Sequence, residues 1–273
     1  MQYEKVKEWY GRSDVKFEII KSLFNREMAI LVPSWVKEDG KNFSTRMLRC
    51  HSVQHLDYIL QKGLRVWDKN MVFNIYYSLA RYRIGIPMQT FNFSERNNLL
   101  WNKEHFEDMQ SYDFLIDIDA GDFEDIDMTY NSTKNIVNFF NKSNVPFELR
   151  FSGKGFHIII PYIYFSLSNN KFNPNDKHNI YNLYFNTARK IYNKFSEMID
   201  LKIYDSRRLC KIPFSLSIYK DNIYVCYPFS ELDDFYNFKL EDFELMKFEK
   251  SVRQKKRTVF NEDGNIRKLL KAI

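Results

Sequence analysis

A chain of 273 residues, 44% hydrophobic and 28% charged, has the composition of an ordinary globular protein and is long enough for one large domain or two small ones. Its formal charge of +6 accommodates a polyanionic partner without demanding one. Three dispersed cysteines, Cys50, Cys210 and Cys226, make no C-x-x-C pair and no Cys/His cluster at zinc spacing, which argues against a disulfide framework and a structural zinc and for a reducing compartment.

Taken along the chain, Val15 to Leu23 has helical spacing and Glu27 to Val32 reads as a strand. Asp57 to Gln61 resembles part of a helix stopped by Gly63, and the β-branched and aromatic run Val72 to Tyr77 is a further strand. In "YDFLIDID", from Tyr112, Phe114, Ile116 and Ile118 alternate with Leu115, Asp117 and Asp119, the period of a strand. Thr129 to Asn141 follows as a helix. Pro146 opens a second strand, "FELRFS", a glycine turn at Gly153 and Gly155 intervenes, and "FHIIIPYIYF" makes a third strand. A helix from about His178 to Met198, a strand region from Ile199 to Ile212 and a hairpin arm near Ile223 to Tyr227 complete the pattern. Strand, helix, strand, strand, helix, strand is the order of a split βαβ, or RRM-like, unit. The fold class expected is therefore α+β. Residues 1–111 form an N-terminal α/β module, 112–249 the RRM-like module, and 250–273 a basic tail. The run "KSVRQKKR" in that tail reads either as a solvated face or as a phosphate-contacting arm.

The longest apolar stretch, Phe156 to Phe165, is interrupted by a proline and too short to span a bilayer, and no signal segment opens the chain. The expectation is a soluble cytoplasmic protein with no membrane partner. Phenylalanine and tyrosine are abundant, at 25 and 18, against 8 glycines. Because Lys, Asn and Ile are abundant too, that bias carries little functional weight alone.

Three places carry chemistry. Asp117 and Asp119 lie two apart on a strand, so both carboxylates leave one face. If that face is buried, a divalent cation relieves their desolvation and mutual repulsion, and oxygen ligands favour Mg²⁺ or Mn²⁺. The plainer alternative is that Asp119 merely begins the acidic loop "DAGDFEDID". Next, "FSGKGFH" joins two predicted strands by a small-residue turn, with Ser152, Lys154 and His157 as donors suited to phosphate oxygens. It lacks the P-loop spacing, and as an isolated hairpin turn it is unremarkable. Last, "IDLKIYDSRRLCKIPFSLS" sets Asp200 at the end of a long helix, with Arg207, Arg208 and Lys211 nearby. Such charges also form ordinary surface ion pairs.

In this order, "FLIDIDAGD", "SGKGFH" and "ID…YDSRRLCKIPFSLS" resemble the three catalytic motifs of the archaeo-eukaryotic primase superfamily, which comprises the small catalytic primase subunit and related primase-polymerases. Upstream, "REMAI", "MLRCHS" and "IYYSLARY" resemble stretches preceding the first motif, so the similarity runs from about Arg26 to Pro228. The resemblance implies the catalytic core of that superfamily and template-directed nucleotidyl transfer with two Mg²⁺ or Mn²⁺ ions. Asp117, Asp119 and Asp200 would be the ligands, with Asp205 a rival for the third place. It gives the incoming triphosphate to Ser152, Lys154 and His157, with Arg208 and Lys211 closing on it and Arg49 and Ser215 as lesser contacts. The implied partners are single-stranded DNA template and primer, an NTP or dNTP, and a helicase, primase large subunit or other fused or bound protein. Ser217 departs from the family, which has a histidine there, and the family's zinc-binding cysteines are missing. Two other classes compete. One is a catalytically idle nucleic-acid-binding module that stacks bases on aromatic side chains. The other is a rolling-circle type nuclease, which needs a His-x-His pair that this sequence lacks.

Overall fold

Helix α1 (Gln2–Gly11) opens the chain and buries Val6, Trp9 and Tyr10, the i, i+3, i+4 stripe of an amphipathic helix. The computed structural model describes residues 2–32, 43–63, 74–82, 109–119, 126–164, 177–205, 208–219, 222–229 and 232. The expected basic tail and most of the acidic loop after Asp119 lie outside those residues. The elements that follow are α2 (Ser13–Ser22), β1 (Met28–Val32), β2 (Phe43–Leu48), α3 (Val53–Tyr58), β3 (Asn74–Ser78), β4 (Ala80–Tyr82), β5 (Met109–Tyr112) and β6 (Phe114–Asp119). Then come α4 (Ile126–Lys142), β7 (Glu148–Phe151), β8 (Gly155–Ile160), α5 (Lys177–Phe195), β9 (Leu209–Lys211), β10 (Leu216–Tyr219), β11 (Asn222–Val225) and β12 (Tyr227–Phe229). The fold is α+β with small antiparallel sheets.

The chain divides into two compact units, Met1–Gln110 with Leu209–Ser217 and Ser111–Arg208 with Ile218–Ile273. In the first, an antiparallel sheet runs in the order β2-β1-β3-β9. The segment after β9 is stitched to α1 and β3. Trp9 Nε1 donates to the Phe214 carbonyl at 2.9 Å, the Leu216 N–H to the Tyr10 hydroxyl at 2.9 Å, and the Ile75 N–H to Ser215 Oγ at 2.7 Å. These bonds flank Phe214, a bulky residue held at φ 65°.

In the second unit the sheet order is β12-β7-β8-β6, antiparallel throughout. Alternation gives it two different faces. Phe114, Ile116 and Ile118 of β6, with Phe156, Ile158 and Ile160 of β8, are 0% exposed and form the core face. Helix α4 packs on β6 and β8 with Thr129, Thr133, Ile136, Val137 and Phe140 buried. The two threonines are tolerated there because their hydroxyls donate to the carbonyls of Ile126 and Thr129 at 2.8 and 2.7 Å. The helix ends in a Schellman turn. Asn144 takes φ 53°, its N–H reaches the Asn141 carbonyl, and the Val145 N–H reaches Phe140 at 2.9 Å. Pro146 then starts the approach to β7.

Two expectations are corrected here. The third strand does not run through "FHIIIPYIYF": β8 stops at Ile160, Pro161 has no N–H to continue the ladder, and Tyr162 to Tyr164 form a 3₁₀ turn whose first N–H bonds Asp113 Oδ1 at 3.0 Å. The strand region from Ile199 to Ile212 is also broken up. Only Ile199 bridges β6, at Ile118, a 3₁₀ turn occupies Leu201–Ile203, and Leu209–Lys211 joins the sheet of the first unit. No described helix is long and apolar enough to cross a membrane.

Candidate active site

The site grows from the register of the second sheet. Directly opposed residues in an antiparallel pair share a face. Asp117 opposes His157 across β6 and β8, and His157 opposes Arg150 across β8 and β7. On the free edge of β6, the Asp200 N–H donates to the Asp117 carbonyl at 2.9 Å and the Asp119 N–H to the Met198 carbonyl at 3.1 Å. These bonds bracket the Ile118–Ile199 bridge and set Asp200 directly across from Asp117. A row Asp200, Asp117, His157, Arg150 therefore crosses the sheet on one face, with Asp119 two residues along β6 on the same side.

That face is not wholly buried, contrary to expectation. Leu115 and Ile159 are 2% exposed, but the side chains of Asp117, Asp119 and Asp200 are 22%, 39% and 36% exposed. The carboxylates are also balanced by cations or cation-forming groups. Lys154 Nζ lies 3.0 and 3.2 Å from the two oxygens of Asp119, His157 Nε2 3.4 Å from Asp117 Oδ1, and Arg208 3.4 Å from Asp200 Oδ2. The other oxygen of Asp200 accepts the Lys202 N–H at 2.8 Å, capping the 3₁₀ turn. Tyr204 lies beneath this row and donates to the Leu115 carbonyl at 2.9 Å. Burial, then the charges of Asp117 and Asp200, push its hydroxyl well above the usual phenol range.

The turn that carries Lys154 is held by its own small residues. Ser152 N–H donates to the Gly155 carbonyl at 2.8 Å, its Oγ accepts the Gly155 N–H at 3.2 Å, and Gly153 takes φ 100°. Gly155 opposes Asp119 so closely that a Cβ would stand 2.0 Å from the Ile118 carbonyl oxygen. Glycine is required there to let the turn sit against the end of β6.

The remaining expected residues fall as follows. Asp205 is exposed and its contacts lie elsewhere: its carbonyl accepts the Tyr112 hydroxyl at 2.6 Å, and its charge acts on Tyr181 of α5. Arg49, Lys211 and Ser215 lie in the first unit. Lys211 Nζ donates to Ser217 Oγ at 2.6 Å. Ser215 is 0% exposed and its oxygen accepts the Ile75 N–H. Arg49 is half-buried just before α3. Sequence reasoning missed Arg150, which is 3% exposed and whose Nε donates to Glu148 Oε1 at 2.7 Å. Only the register reveals that it stands beside His157.

Among the described residues, no three His, Cys, Asp or Glu side chains are grouped tightly enough to hold a metal ion as they stand. The chemistry of the donors nevertheless fits a hard divalent cation. They are carboxylate oxygens only, half-exposed and on one face, two from β6 and one backbone-bonded beside it.

No family model and no curated protein matches the chain. Among solved structures it is similar to the polymerase domain of Mycobacterium tuberculosis Ligase D in complex with DNA, with a TM-score of 0.53 and 12% identity over 98% of this chain and 91% of that one. At that identity the likeness is one of fold: the chain shares the α+β architecture of a polymerase domain.

Proposed function

We propose that the protein is a template-directed nucleotidyltransferase of the primase-polymerase kind, adding nucleotides from NTPs or dNTPs to a 3′-hydroxyl or to an initiating nucleotide and releasing pyrophosphate. The observation that carries this reading is the row Asp200, Asp117, His157 on one sheet face, with Asp119 and Lys154 beside it. Its fold likeness to a polymerase domain solved with DNA supports a nucleic-acid partner. On this reading the second unit is an RRM-like split βαβ whose fourth strand has shrunk to the bridge at Ile199.

Asp117, Asp119 and Asp200 would hold Mg²⁺ or Mn²⁺. Such ions, when bound, lower the pKa of an attacking hydroxyl and balance the charge of a leaving pyrophosphate. The chain's own groups supply the rest. Lys154, on the turn tip, is 38% exposed and offers a mobile ammonium to phosphate oxygens in place of its carboxylate partner. His157 is held between Asp117 and Arg150, so its ring has a fixed orientation toward the carboxylate row and can donate one N–H to a phosphate. Arg208 adds a second cation beside Asp200.

A second reading draws on one observation. Lys154, His157 and Arg208 already face the three carboxylates, as they would in a nucleic-acid-binding module that uses no metal. Against it, the face of β6, β7 and β8 that carries the aspartates is built from Leu115, Asp117, Asp119, Glu148, Arg150, Gly155, His157 and Ile159, with no Phe, Tyr or Trp among them on which a base could stack. Phe114, by contrast, points into the core, where it packs on Tyr184 and Tyr204 with centroids 4.9 and 5.9 Å away.

The test is a gel assay with labelled nucleotide on primed and unprimed single-stranded templates, each with ribo- or deoxynucleotides and Mg²⁺ or Mn²⁺. The proposal expects metal-dependent incorporation. Tight template binding with no incorporation under any of these conditions would leave the binding module.

A further inference from the structure

We propose that His51 and His55 form a separate cation site, a two-imidazole clasp for a borderline divalent transition metal such as Zn²⁺, Ni²⁺ or Cu²⁺. The inference is independent of the nucleotidyltransferase reading. It begins with a local fold. Ser52 is the N-cap of α3, extended at φ −149° and ψ 159°, and its Oγ accepts the His55 N–H at 3.1 Å. That cap fixes His51 just before the helix and His55 in its first turn, four residues on, where the two rings meet. The ring centroids are 4.8 Å apart with planes inclined by 62°, and the two Nδ1 atoms approach to 3.4 Å.

Two imidazole nitrogens bound to one tetrahedral Zn²⁺ at about 2.0–2.1 Å stand about 3.4 Å apart. The spacing H-x₃-H is also one that zinc sites use. The rings are edge-on rather than stacked and the two Nδ1 atoms share a hydrogen bond, so a metal ion would take the place of the proton between them. His51 is exposed and His55 half-buried, which leaves room for water to complete the coordination.

The neighbours decide which cation fits. Cys50 is adjacent but 3% exposed, and its Sγ lies 3.8 Å from the Ser52 carbonyl rather than with the two rings. Asp57 is engaged by Lys16 at 2.7 Å. Among the described residues the ligands are thus two nitrogens and no carboxylate. Such a set prefers Zn²⁺, Ni²⁺ or Cu²⁺ and discriminates against Mg²⁺ and Mn²⁺, the ions suited to the aspartate row. Arg49 opposes a cation here, and this keeps the site weaker than one with three or four ligands. Zinc-finger strength is therefore not expected.

Calorimetric titration of the full chain with Zn²⁺, in excess Mg²⁺ to occupy the carboxylates, tests the proposal. One equivalent is expected to bind. H51A and H55A should each weaken it by about tenfold or more, the double variant should abolish it, and D117N/D119N should leave it unchanged. Both rings reach the surface, so the metal-free variants should melt with the parent. With Cu²⁺, the paramagnetic resonance spectrum should show nitrogen coupling from imidazole that H51A/H55A removes. Absence of binding in the parent, or one equivalent retained by the double variant, would overturn the site.

Discussion

Replacing Gly155 with alanine probes the scaffold of the proposed site without touching a charged group. The new Cβ would stand 2.0 Å from the Ile118 carbonyl oxygen, 3.0 Å from the carbonyl carbon and 3.1 Å from Asp119 Cα. Ordinary carbon–oxygen contact begins near 3.3 Å, so β6 and β8 must part locally by about 1 Å. All three obstructing atoms are backbone, and no side chain can swing aside. Overpacking of this kind costs about 1–3 kcal/mol, and here the upper end is expected. The displaced strands are those that hold Asp117 and Asp119 against His157 and Lys154, and a misplacement of about 1 Å can cost about 10²-fold in rate. Urea unfolding followed by circular dichroism measures the first effect and labelled-nucleotide incorporation the second. Lys154→Ala, in the same turn, is the control: it removes a half-exposed ion pair worth at most about 1 kcal/mol. If Gly155→Ala unfolds at the same urea concentration as the parent, the β6–β8 register is wrong, and with it the row of site residues.

Asp200→Asn should lower incorporation by about 10²-fold or more, on the scale of losing one charge-stabilising group. Asp205→Asn should stay within a few-fold of the parent, because Asp200 and not Asp205 is bonded across from Asp117; equal losses in steady-state assays would contradict the assignment. Stability should fall as pH rises above about 10. Tyr184 and Tyr204 have folded pKa values raised by burial, so their contribution is complete below the unfolded value near 10 and is lost as pH climbs toward the folded values, where the unfolded chain alone has released its protons. Tyr204→Phe should flatten that fall, while costing about 1 kcal/mol at neutral pH for the bond to Leu115. Urea titrations at pH 7 and pH 11 read both.

Local pattern reveals some of this and long-range pairing the rest. The alternation of Phe114 to Asp119 and the helical spacing ending at Asn141 are properties of short windows, so β6 and α4 can be read from sequence. The turn at Gly153 and Gly155 is equally local. By contrast, "RRLCKIPF" looks like a strand from its alternation, but nothing in its residues says that Cys210 pairs with Tyr77 in the first unit. Helix α1 was not read because its buried Val6, Trp9 and Tyr10 are separated by charged residues and include two aromatics of middling helix preference. Arg150 looked like one basic residue in a strand. Its place beside His157, and the exposure of the aspartates, depend on which strand neighbours which.

The central claim is that the carboxylate row on β6 works with divalent cations to join nucleotides. Single-turnover incorporation of labelled nucleotide on a primed template, with Mn²⁺ supplied or chelated, tests it by comparing the parent with Asp117→Asn. The account predicts extension that requires the metal and falls by about 10³-fold or more in the variant, which should unfold near the parent because its side chain is nearly isosteric. Extension by the variant at the parental rate would contradict it.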